Sequence, residues 1–171
     1  ILVDLQSGPL GIVGSLEARN ALARSLICSL AVHHSPDEVY LMAVYSPSQF
    51  QDWKWLMWLP HTHVLDRADY KPYLANDSLT AKALFGELLE ELHRRQNQLD
   101  AVSQEGETPN WPWLVLLMAD ENVIRHDPAL DLMLSREGRS LHVTGLFLVE
   151  HVAHVPSGCA SYVECLPQQV V

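Results

Sequence analysis

The chain predicts an α/β domain in three layers, a mainly parallel central sheet covered by helices on both faces. Short apolar runs alternate with longer amphipathic stretches along the sequence, the pattern of parallel strands joined by crossover helices. The run Leu114 to Met118 is apolar at every position, as expected of a central strand buried on both sides. The first apolar run, residues 10–13, passes through Gly14 directly into a long helical pattern.

Within that first helix, residues 15–33, the apolar positions Leu22, Leu26 and Leu30 are flanked by Ala23 and Ile27, a stripe at helical spacing. His33-His34-Ser35-Pro36 ends it, because the residue before a proline avoids the α region. Residues 38–45 form the next strand. Ser46-Pro47-Ser48 opens a short helix through Trp55, and residues 58–65 turn into an extended piece. A polar loop is expected over 66–77 and a second long helix over 79–98, with Leu84, Leu88, Leu89 and Leu92 near one face. After a loop at 101–110 and the strand at 114–118, Asp127-Pro128 starts a short helix to about Leu134. Strands at 141–149 and 161–166 complete the chain.

With 171 residues, residues 1–171 are expected to be one domain with a sizeable core. Ile1 stands where an initiator Met would, so the chain reads as a cut from a longer one. No apolar run is long enough to span a membrane as a helix, and no signal peptide is recognisable. The net charge of -10, with only 11 basic residues, argues against a broad nucleic-acid surface, which needs clustered Lys and Arg. Arg94-Arg95 is the main basic pair. Cys28, Cys159 and Cys165 are odd in number and suggest a reducing, cytosolic setting; Cys28, within a helical pattern, reads as a small core residue.

The corner Gly14-Ser15-Leu16-Glu17-Ala18-Arg19-Asn20 has the setting of a phosphate-binding loop without its consensus. Such a loop turns several backbone N–H groups onto one anion at a helix N-terminus, with a lysine for charge and a Ser/Thr hydroxyl on magnesium. Here Ala18-Arg19-Asn20 stand where Gly-Lys-Ser/Thr is expected, and the loop is one residue short. Leu16 resists positive φ. Glu17 would set a carboxylate beside a triphosphate, a repulsion on the order of a few kcal/mol in a partly desolvated site. Arg19 could contact a phosphate, though its planar fork does not replace a compact ammonium. The preferred reading is that Ser15 caps the helix and Glu17 complements its dipole; a vestigial cradle of Gly14, Ser15, Ala18, Arg19 and Asn20 is the other.

The strand at 114–118 continues into Ala119-Asp120-Glu121, the form of a Walker B strand. In a competent ATPase the Asp positions magnesium and the Glu helps to activate water, which makes Asp120 the metal candidate and Glu121 the catalytic one. Without a phosphate cradle neither rescues catalysis, because phosphoryl transfer rests on positioning the phosphates.

These pieces together resemble the FtsK/SpoIIIE-type ATPase modules of the type VII secretion motor, the EccC/EssC/YukB family. The matching stretches are GPLGIVGSLEARNALARSLICSLAVHHSPDEV, WLMWLPHTH, LLEELHRRQNQL, WLVLLMADE and SREGRSLHVTGLFLVEHVAHVPSG, which cover nearly the whole chain. The Leu-Pro-His tract and the His-Ser-Pro turn are the specific ones. The resemblance implies a P-loop NTPase (RecA/FtsK-like) fold and a module from an array that follows a transmembrane segment. The departure at Ala18-Arg19-Asn20 implies a non-hydrolysing module that couples to active ATPase modules and other secretion subunits through protein contacts. It would lie on the cytoplasmic side of the membrane, with no cofactor and no nucleic acid. The alternatives are an atypical ATPase binding Mg-ATP through Arg19 and Asp120, and a DNA translocase module.

His61-x-His63 has a spacing that could ligate metal from a strand, but a structural site wants four ligands; packing beside the tryptophans is preferred. Trp53, Trp55 and Trp58 with Met57 read first as core and second as a partner anchor. Arg136 and Arg139 suit a solvated face or a contact between modules. No Ser/His/acid or Cys/His set is evident.

Overall fold

A computed structural model describes residues 4–63, 72–102, 109–120 and 127–165. Six strands form one sheet in the order β3-β2-β4-β5-β1-β6, and every pairing within it is parallel. The strands are β1 (Leu10–Gly14), β2 (Val39–Val44), β3 (Leu74–Ala75), β4 (Trp113–Met118), β5 (Val143–Val149) and β6 (Ser161–Cys165). The helices are α1 (Leu16–His33), α2 (Phe50–Trp53), α3 (Ser78–Val102), α4 (Pro128–Leu134) and α5 (Arg136–Ser140), with short 3-10 turns between several of them. The parallel α/β expectation holds, and the edge strand β3 lies inside what the sequence suggests is a loop. Two residues give little periodicity to read; β3 exists because Ala43 and Tyr45 donate to Tyr73 and Ala75.

Side chains alternate across the central strands and feed two separate cores. On one face Leu114, Leu116 and Met118 of β4 join Met42 and Val44 of β2 under α3 and α4. On the other, Val115, Leu117 and Ala119 join Leu41, Ala43, Leu146 and Leu148 under α1 and the segment around Trp53. Burial on both faces explains why these strands read as continuous apolar runs; each fully buried Leu contributes about 1.5–3 kcal/mol.

The buried stripe of α1 is Asn20, Ala23 and Ile27, with Leu22, Leu26 and Leu30 half-buried along its edge. Cys28 lies on the outer side of this helix and is exposed, contrary to the core role expected from its helical context: it follows Ile27 by one residue, about 100° around the axis. The second basic residue of the Arg94-Arg95 pair is buried. It occupies the turn of α3 after Leu88 and Leu92, on the same face, and is only 1% exposed.

None of the described helices is long and apolar enough to cross a membrane.

Candidate functional site

The carboxyl ends of the parallel strands share one edge of the sheet, where ligands of open α/β folds sit. β1 ends there at Gly14 and α1 begins at Leu16, so Ser15 alone connects them. Gly14 has φ +149°, and a Cβ on it would come within 3.0 Å of the Cβ and the carbonyl oxygen of Cys165 in β6. The glycine therefore serves the strand ending and the close approach of β6.

Ser15 takes an extended backbone and acts as the N-cap of α1. Its Oγ accepts from the Ala18 N–H at 3.4 Å, and its carbonyl from the Arg19 N–H at 3.0 Å. Those bonds occupy donors that a phosphate would otherwise use. Leu16 and Glu17 fill the exposed first turn, which places a carboxylate at the positive end of the helix dipole. Ala18 and Arg19 are half-buried.

Asn20, which the sequence sets against the Ser/Thr of a phosphate-binding loop, is only 2% exposed. Its Nδ2 donates to Asp52 Oδ2 at 3.4 Å, and Arg24 Nη1 stands 3.8 Å from the other oxygen of the same carboxylate. Neither Arg24 nor Asp52 stands out in the sequence as part of this corner. The helical spacing from Asn20 to Arg24 is the one available signal, and Asp52 arrives from a separate segment.

Asp120 follows β4 at the same edge and is half-buried. Phe147 of β5 is in register with both Gly11 of β1 and Met118 of β4. β5 thus lies between the two candidate strand ends and separates them by two strand spacings, about 10 Å. Glu121 lies outside the described residues.

His61 and His63 do not share a strand. His61 belongs to a single 3-10 turn, Pro60–Thr62, is 4% exposed and holds the His34 carbonyl 2.8 Å from Nε2; His63 sets Nδ1 3.1 Å from the Leu59 carbonyl. Among the described residues no cluster of three or more His, Cys, Asp or Glu is arranged to hold a metal ion. The tryptophans divide: Trp53 is fully buried, while Trp58 is 80% exposed beside the exposed Met57. Arg136 and Arg139 are exposed on α5.

No family model matches the chain. The ESX secretion system protein EccC of Geobacillus thermodenitrificans is 26% identical over 86% of the chain, and YukB of Bacillus subtilis is 23% identical over 84%. The ESX-4 protein EccC4 of Mycobacterium tuberculosis reaches 44% over a shorter stretch, 32% of the chain. Among solved structures, the cytoplasmic domain of EssC superposes with a TM-score of 0.68 at 17% identity, covering 94% of this chain and 33% of that one. The cytoplasmic domain of the Thermomonospora curvata type VII secretion ATPase EccC gives 0.69 at 16%, covering 95% and 21%. Its homologues are the ATPase domains of the EccC/EssC/YukB type VII secretion proteins. The fold is accordingly that of a P-loop NTPase. The chain spans 10% of the length of the Geobacillus EccC and 9% of YukB, and its EccC and EssC homologues carry such domains within multidomain chains.

Proposed function

We propose that this domain is a non-hydrolysing ATPase-like module of a type VII secretion motor, one that passes conformational change to active ATPase modules through protein contacts. The observation that carries this reading is the single-residue connection at Ser15. A phosphate cradle needs a run of backbone N–H groups facing one anion, and the first turn of α1 instead spends its Ala18 N–H on the Ser15 side chain. Asn20 supports it further, since it is only 2% exposed and its Nδ2 donates to Asp52 at 3.4 Å. Catalysis of phosphoryl transfer depends on grip and neutralisation of the phosphates, and Glu17 adds charge of the wrong sign. In this reading the module works without ATP, magnesium or nucleic acid, on the cytoplasmic side of the membrane as part of a membrane-bound chain. Its partners are the neighbouring ATPase modules and other subunits of the secretion machinery.

Isothermal titration of the domain with Mg-ATP tests it, with an intact Gly-Lys-Ser/Thr module of an EccC relative as positive control. The expected result is no saturable heat. Saturable binding that disappears in Asp120→Ala, with the circular dichroism unchanged, would establish the atypical ATPase reading instead. Salt-sensitive binding to duplex DNA would establish the translocase reading.

A further inference from the structure

After β2 the chain crosses the α1 side of the sheet without a long helix. Residues 46–63 do so in short turns: α2 and the 3-10 turns Pro47–Gln49, Lys54–Trp58 and Pro60–Thr62. This segment is fastened to α1 near its start and again at its end. Near the start, Asp52 accepts from Asn20 Nδ2 at 3.4 Å and lies 3.8 Å from Arg24 Nη1. At the end, His61 Nε2 donates to the His34 carbonyl at 2.8 Å. Asn20 and His34 are about 20 Å apart along the helix axis, so the segment follows most of the length of α1.

Between these fastenings the segment is braced against itself. Trp55 Nε1 donates to the Asp52 carbonyl at 2.9 Å. Thr62, completely buried, directs its Oγ1 to the carbonyls of Leu56 at 3.0 Å and Leu59 at 2.9 Å, which ties the turn that carries His61 back to the one before it. Trp53 and Leu56 are buried in the same core as Ala23 and Ile27 of α1, while Met57 and Trp58 are exposed. Bonds and packing therefore run without a break from Asp52 to His61. A segment braced in this way does not release one end while the other stays closed. Its turns are short, and units of this kind open at a lower free energy than the helices and strands beneath them.

We infer that residues 46–63 are a conformational strap, which opens and closes as one unit, so that a change at either end of α1 is felt at the other. The strap links the Ser15 corner to the amino edge of the sheet, and its exposed Met57 and Trp58 lie between the two fastenings. Its use in relaying protein contacts rests on the function proposed for the module; its unity does not, and is measured without nucleotide or partner.

Amide hydrogen exchange of the protein, followed by NMR, reads the unit directly. The Lys54 N–H, bonded to the Phe50 carbonyl, reports the end at Asp52. The Thr62 and His63 N–H groups, bonded to the carbonyls of Leu59 and Pro60, report the end at His61. Asp52→Ala and His61→Phe are each expected to speed exchange at all three by the same factor, several-fold and up to about tenfold for the loss of a fastening, and to leave the amides of α3 unchanged. Acceleration confined to the altered end overturns the strap. Equal acceleration in α3 overturns it too, because the segment would then open only with the whole domain. The unaltered protein gives a second reading if a variant does not fold. As urea rises below the unfolding transition, the three amides are expected to converge on one opening free energy beneath that of α3. Three separate values, or one shared with α3, refute the inference.

Discussion

Arg95 reaches from α3 to the carbonyl of Leu141, with 2.8 Å between Nη1 and the oxygen, although only 1% of the arginine is exposed. Its Nε donates to Glu91 Oε1 at 2.7 Å, and its guanidinium carbon lies 5.4 Å from the Trp111 ring centroid. One side chain thus joins a helix, the turn before β5 and the segment before β4. Arg95→Ala leaves the buried Leu141 carbonyl without this donor while Glu91 keeps its two bonds from Arg94, so it should cost about 1–3 kcal/mol. Urea denaturation of the variant checks this; a change within 0.5 kcal/mol, typical of an ordinary surface site, would show that the guanidinium contributes nothing.

Glu91 gives the same contact a pH signature. Partial burial pushes its carboxyl up, but hydrogen bonds from Arg94 and Arg95 outweigh that and hold it below its ordinary value of 4.5. A depressed folded value means the stabilisation is complete above about pH 4.5 and is lost as the pH falls through the lower folded value. Acid unfolding of Glu91→Gln should therefore be shallower in that window than that of the parent protein. Parallel curves for the two would contradict the assignment.

The tryptophans should separate cleanly on truncation. Trp53→Ala opens a cavity at a site with no exposure and should cost about 3–5 kcal/mol. Trp58→Ala, at 80% exposure, should change stability by less than about 0.5 kcal/mol. Thermal melts of both variants decide the matter, and equal losses would mean that the segment packs differently.

Thiol reactivity should follow burial. Desolvation pushes the Cys159 thiol up to about 12, so little thiolate forms near neutral pH, and Cys28 is exposed on α1. Iodoacetamide at about pH 8 should label Cys28 first and leave Cys159 protected until the protein is denatured. Peptide mass mapping reads the order directly.

Gly138 should resist substitution more than its place beside a polar turn suggests. It is the buried residue of α5 and faces α4, where an added Cβ would collide with the Met133 carbonyl. Gly138→Ala must displace backbone, which puts it among substitutions that cost more than about 2 kcal/mol. Gly86→Ala on the open side of α3, where nothing lies within 4 Å of an added Cβ, should stabilise by up to about 1 kcal/mol through helix propensity. Chemical denaturation of the two alanine variants tests the contrast.

The periodicity of apolar residues determined most of the architecture. Runs such as Leu114 to Met118 admit few placements other than a strand buried on both faces, and the helix over residues 15–33 ends where Pro36 makes its continuation unfavourable. The corner at Gly14 was legible for the same local reason: a glycine, a capping serine and a helical stripe fix their own geometry within a few residues. What the tertiary structure decided were relations between distant segments. Asn20 turns toward Asp52 because two separate elements meet there, and Arg95 is buried because its turn of α3 faces β5 and Trp111. β3 exists only because β2 offers it an edge, and Thr144 is buried because α1 covers that face of β5. Local pattern reports the state of the backbone, whereas burial and partnership depend on contacts made at long range, which no window of neighbouring residues contains.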